Sequence, residues 1–118
     1  TDRRDRLIMT KVRFLADGKG LYGFEISGHC SKDGDDETGR IVCAAVSSAA
    51  YMAANTVTEI VGDKAEADAN DAFMRFEGKE PSKGTADILK GLQLHLTELS
   101  CQYSDNIRII GGAKNVKD

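Results

Sequence analysis

Residues 10–27 read TKVRFLADGKGLYGFEIS, and the fold turns on how this stretch is understood. Residues 10–16 alternate apolar with polar for part of their length, residues 21–27 do so again, and Asp17-Gly18-Lys19-Gly20 lies between them. Two alternating runs around a glycine-bearing turn predict a β-hairpin. Residues 28–39 follow with Gly28, Gly34 and Gly39 and most of an acidic run, Asp33, Asp35, Asp36 and Glu37. They show no periodicity, so the expectation is a mobile loop.

From residue 42 the pattern changes. Val42, Val46, Ala49, Ala50, Ala53, Val57, Ile60 and Val61 follow the three-and-four spacing of one helical face, and Gly62 is placed to end the helix. Residues 65–69 and 71–77 predict two short strands joined near Asn70-Asp71. A second helix is expected from about Ser82, with Ile88, Leu92, Leu96, Leu99 and Tyr103 on its apolar stripe, and Asn106 to Ile110 complete the set as a strand. The order β-β-α-β-β-α-β defines an α+β fold: an antiparallel or mixed sheet of about four or five strands covered by two helices. Residues 1–8 are read as an N-terminal extension or cloning remnant and residues 9–118 as one domain, since 118 residues are too few for two independent cores.

Composition narrows the function. With 41% hydrophobic and 30% charged residues and a single proline, the chain is expected to fold as a globular domain. A net charge of −3 provides no field to hold a phosphate backbone, so nucleic acid is not expected as a direct partner. The apolar stretch from Ile41 to Ala54 is alanine-rich and interrupted by Ser47, Ser48 and Tyr51, which argues against a membrane span, and residues 1–7 lack the apolar centre of a signal peptide. Cys30, Cys43 and Cys101 are odd in number and irregularly spaced, which predicts separate thiols in a reducing cytoplasm and no disulfide framework. No Cys-x-x-Cys or His-x-x-x-His pair nucleates a metal site, and no cofactor motif is present.

Cys43 stands in the first turn of the helix expected from residue 42. Unpaired N–H groups there favour an anion, so the thiol is expected to ionise readily and act as a nucleophile. For an isolated cysteine, packing as a small apolar residue is the commoner role. Gly39 before the helix and Ala44 and Ala45 after the cysteine leave space for a peptide backbone, and the N–H groups of Cys43 and Ala44 are candidate oxyanion donors. Ser47, four residues on, shares the helical face of Cys43. His29 follows Gly28 at the end of the second strand, from where an imidazole can reach a thiol at a helix start and serve as general base. His95 is the competing base, but it lies mid-helix between Leu94 and Leu96.

These residues resemble a known family. Ser27-Gly28-His29, followed after the acidic loop by Gly39-Arg40-Ile41-Val42-Cys43-Ala44-Ala45-Val46-Ser47, is similar to the signature of the ribosomal-processing cysteine protease (Prp) family, and the likeness extends over about residues 9–111 to the Tyr-Ser-Asp-Asn-Ile-Arg ending. The resemblance implies an endopeptidase of ribosome biogenesis that removes a short apolar N-terminal extension from large-subunit ribosomal protein number twenty-seven, cutting after a phenylalanine. It implies a dyad of Cys43 and His29, a homodimer, and a substrate loop spanning residues 30–39 that orders over the peptide. The acidic run would then steer a basic ribosomal partner. Arg40 stands where the family has Asp, and Cys30 where it has a small residue. The reading from a different class is a non-catalytic ribosome-associated binding module of the same fold, with Cys43 packed.

Overall fold

The computed structural model describes residues 8–28, 36–70 and 73–110. Strands β1 (Thr10–Asp17) and β2 (Gly20–Ser27) form the predicted hairpin, antiparallel from Lys11↔Ser27 to Asp17↔Gly20, and the Lys19 N–H donates to Asp17 Oδ1 at 2.8 Å in its turn. Alternation buries Thr10, Val12 and Phe14 and leaves Lys11 and Arg13 in solvent. A bulge at Leu15/Ala16 shifts the register, so Leu21 and Phe24 both point inward although they stand three positions apart.

The hairpin is the middle of a five-stranded sheet ordered β3-β4-β2-β1-β5, with β3 at Ala65–Ala69, β4 at Phe73–Gly78 and β5 at Ile107–Ile110. Strand β5 runs parallel to β1 and all other pairs are antiparallel, so the sheet is mixed. On its outer face, pairing places Asp68, Arg75, Glu25 and Arg13 side by side on four successive strands, with charge alternating at each step. Arg75 makes ion pairs with Glu25 and, at 3.1 Å, with Glu77. Opposite charges across strands suit a solvated face. The inner face carries Val12, Phe14, Phe24, Ile26, Phe76 and Ile107, with the rings of Phe24 and Phe76 stacked at 5.5 Å. Helices α1 (Glu37–Asn55) and α2 (Lys83–Gln102) cover this face. The α+β fold expected from the sequence is the observed one.

Helix α1 starts five residues earlier than its apolar stripe predicts. Asp36 is the N-cap, its Oδ1 accepting from the Gly39 N–H at 3.1 Å, and Glu37 lies in the first turn, where a carboxylate suits the dipole. Gly39 is therefore helical and not part of a substrate loop. A methyl there would stand 2.7 Å from Ile8 Cβ, so glycine lets α1 approach the entry to β1. Ile8, read as extension, is itself buried.

Val42, Val46, Ala50, Ala53 and Val57 pack inward as expected, but Ile60 is 79% exposed. The helix changes to a π-turn at Thr56–Val61, where Thr56 Oγ1 donates to the Met52 carbonyl at 2.7 Å. Extra residues per turn shift the stripe, keeping Val57 inside and swinging Ile60 out. Gly62, at φ +86°, ends the helix as predicted. By length and composition Glu37–Val61 would also suit a membrane span, contrary to the sequence reading. Part of that apolar content is the stripe packed on the sheet, and part is exposed at Ile41, Met52 and Ile60.

Helix α2 opens at Ser82, as predicted, but Leu89 and Thr85 join Leu92 and Leu96 on its buried stripe while Tyr103 is exposed. Asp63 Oδ2 receives the Thr85 hydroxyl at 2.6 Å and the Ser82 N–H and hydroxyl at 2.8 Å each. This carboxylate joins the end of the first helical segment to the start of the second.

Candidate active site

The start of α1 is fixed by a polar junction. Asp36 Oδ2 accepts from the Ile8 N–H at 2.8 Å and from Asn106 Nδ2 at 2.7 Å, and the same amide donates to the Ile8 carbonyl at 2.9 Å. The Thr10 N–H donates to the Asn106 carbonyl at 2.9 Å. Three chain segments, the entries to β1, α1 and β5, are thereby held in one register.

Cys43 is the seventh residue of α1 and is buried, with 5% of its surface exposed. The sequence placed it in the first turn, and that expectation fails because the Asp36 cap extends the helix toward the N-terminus. The N–H groups of Cys43 and Ala44 fall inside the helical ladder, where they bond to carbonyls four residues back and are not donors to an oxyanion. The dipole advantage fades beyond the first turn, so it does not single out Cys43 either. Its sulfur is disulfide-bonded, which corrects the expectation of three separate thiols. Cys101 is free and exposed. Cys30 lies outside the described residues, as do His29 and Gly34.

Beside Cys43 is a cavity of about 60 Å³. Cys43, Ser47 and Tyr51 line it from α1 at successive four-residue steps, so one helical face forms the wall. Thr10, Ile26 and Gly28 line it from the sheet. Gly28 has φ +148°, and a methyl there would stand 2.6 Å from the Met9 carbonyl oxygen and 3.0 Å from Thr10 Cα. Both the backbone angle and the space require glycine, and only this allows the end of β2 to lie against Thr10. Asn70, Phe73 and Met74 complete the rim.

Of the sequence-selected residues, the fold thus gathers Cys43, Ser47 and Gly28 at one cavity. Ala44 is exposed on α1. His95 lines a different groove, with Ala45, Met52 and Gly91 between the outer sides of α1 and α2. Tyr51 was overlooked although its spacing from Cys43 announces a shared face. Thr10 and Asn106 carry no local signal, since each acts through pairing between distant strands. Among the described residues no group of His, Cys, Asp or Glu could hold a metal ion.

The profile of one protein family, cysteine protease Prp, matches residues 9–108. The chain belongs to this family. Prp is a family of cysteine proteases, and the match covers both strands of the hairpin, both helices and the start of β5. The fold is similar to the essential ribosomal processing protease Prp of Staphylococcus aureus in complex with a substrate peptide: TM-score 0.78, 17% identity, 87% of this chain and 99% of that one covered. The same S. aureus protein with a covalently linked product peptide gives TM-score 0.73 at 19% identity, covering 86% and 97%. A Streptococcus mutans protein gives TM-score 0.77 at 16% identity, covering 90% and 96%. At these identities the likeness establishes the Prp fold. A comparison with curated proteins found no match.

Proposed function

We propose that this chain is a Prp-type cysteine endopeptidase with Cys43 as nucleophile and His29 as general base, acting on the N-terminal extension of large-subunit ribosomal protein number twenty-seven. The observation that carries the reading is that Cys43 and Gly28, the residue immediately before His29, line one cavity. In the reduced protein the imidazole takes the thiol proton and Sγ attacks the scissile carbonyl. The imidazolium then protonates the leaving amine, and water resolves the thioester with the same base. Ser47, on the cavity wall, is the supporting hydroxyl donor. The S. aureus Prp structure with a substrate peptide supports a peptide substrate for the family. The protein is further proposed to act in the cytoplasm as a homodimer.

The test is incubation of reduced protein with the N-terminally extended ribosomal protein, followed by intact-mass measurement. Loss of the extension is expected with wild type, and none with Cys43→Ala or His29→Ala, because nucleophile and base act as a unit. Wild-type turnover by Cys43→Ala overturns the mechanism.

A further inference from the structure

Cys43 is held in a disulfide, and the chain narrows its partner to one residue. There are three cysteines, at positions 30, 43 and 101, and Cys101 is a free, exposed thiol. Cys43 is among the buried residues of α1, with 5% of its surface exposed, so the sulfur of a second copy of the chain has no approach to it. Cys30 remains. Covalent reach allows the pairing: Cys30 stands two residues beyond Gly28, about 7 Å at full extension, and Gly28 lines the same cavity as Cys43. A disulfide joins Cα atoms about 4–7 Å apart, which that tether permits. The residue between Gly28 and Cys30 is His29, the proposed base.

We propose that Cys30 and Cys43 form a reversible redox pair, in which Cys30 is the resolving thiol that withdraws the nucleophile under peroxide and preserves it. The proposal rests on the protease reading and adds its regulation. The Cys43 thiolate attacks one oxygen of hydrogen peroxide; the O–O bond breaks, the sulfur is oxidised to a sulfenic acid, and the departing hydroxide takes a proton and leaves as water. The Cys30 thiolate then attacks that sulfur and expels hydroxide, which leaves as water with the proton Cys30 gave up. Two thiols and one peroxide become one disulfide and two waters. A dithiol reductant reverses this by exchange through a mixed disulfide, ending as a disulfide itself and returning both cysteines to thiols. Two observations favour a switch over a structural staple. The bond engages the cysteine that lines the cavity, where a bonded sulfur cannot act as nucleophile, and leaves Cys101 free. The apolar core of Val12, Phe14, Phe24, Val46, Phe76 and Leu96 is continuous without Cys43.

The full chain is reduced, freed of reductant, treated with hydrogen peroxide and then with dithiothreitol. Intact mass, peptide mapping and cleavage of the N-terminally extended ribosomal protein are followed at each stage. With peroxide, wild type should lose two hydrogens in mass, yield a crosslinked peptide holding Cys30 and Cys43, and stop cleaving; dithiothreitol should restore cleavage. Cys30→Ser, judged against its own activity before peroxide, should stop cleaving and not recover, with Cys43 found as the sulfinic acid that thiols do not reduce. Cys101→Ser should cycle as wild type does. Reduced wild type should keep a cooperative melting transition, and its loss would make the bond a structural staple and overturn the switch. A Cys43–Cys101 crosslink, a disulfide-linked dimer, or recovery of Cys30→Ser equal to that of wild type overturns the pair. The two readings fail separately: a crosslink that forms and opens in a protein that never cleaves refutes the protease alone, and wild-type cleavage that survives peroxide refutes the switch alone.

Discussion

The Asp36 carboxylate and the Asn106 amide, 70 residues apart in sequence, meet at 2.7 Å where α1, β1 and β5 begin. Because Asp36 also caps α1, one side chain sets both the start of the helix and its seating on the sheet. Asp36→Ala should lose about 1 kcal/mol of capping and about 1–3 kcal/mol because the buried Ile8 N–H loses its acceptor, while the Asn106 amide keeps its bond to the Ile8 carbonyl. Urea unfolding measures the sum, and cleavage should weaken with it as the helix start loosens. Stability within about 0.5 kcal/mol of wild type would show that the junction carries little.

A second carboxylate gives a pH signature. Hydrogen bonds from the Thr85 hydroxyl, then from the Ser82 N–H and hydroxyl, hold Asp63 below its ordinary value of 3.8. A depressed carboxylate contributes stability that is present above the unfolded pKa and lost as pH falls through the folded one. The advantage of wild type over Asp63→Asn should therefore be full at neutral pH and shrink below about pH 4. A gap that stays constant down to strong acid would refute this.

Sequence made the hairpin, the order of elements and the Gly62 stop legible, because alternation, helical spacing and a left-handed cap are local properties. It misjudged the start of α1, because Glu37 to Arg40 contribute no apolar stripe and the cap is recognisable only once Asp36 is seen bonded to Gly39, Ile8 and Asn106. Ile60 was misplaced because a π-turn has no apolar signature. Cys43, Ser47 and Gly28, singled out by type and spacing, line one cavity. Thr10 was not singled out, since a strand threonine becomes part of the site only through its pairing and the glycine beside it.

Oxidation state supplies a third prediction. The Cys43 sulfur is disulfide-bonded, whereas a nucleophile must be a free thiolate. Cleavage should appear only on treatment with a thiol reductant. Iodoacetamide followed by peptide mapping should label Cys101 before reduction and Cys43 only after it. Full labelling of Cys43 in untreated protein would contradict the disulfide.

Gly28→Ala should combine two faults, a positive φ and a methyl 2.6 Å from the Met9 carbonyl. Strained backbone of this kind costs on the order of 1–3 kcal/mol. The larger effect should be on catalysis, because the end of β2 must move away from Thr10 and takes the residue before His29 with it. A variant whose kcat/KM falls no more than its folded fraction would show that the position is only structural.

The expected aromatic residue before the cut needs a ring to pack against, and Tyr51 offers one. It lies two helical turns beyond Cys43 on the same face, lines the cavity and is 51% exposed, so its ring is available at the rim. An aromatic pair adds about 0.5–1.5 kcal/mol beyond the area it buries, which is about two- to twelvefold in kcat/KM. Tyr51→Ala should lower kcat/KM for a peptide with phenylalanine before the scissile bond by that factor or more. It should barely change the value for the same peptide carrying alanine, which has no ring to stack. The difference between the two losses is the coupling of a double-mutant cycle, and it does not depend on any general harm from removing Tyr51. Equal losses for both peptides would place the substrate ring elsewhere.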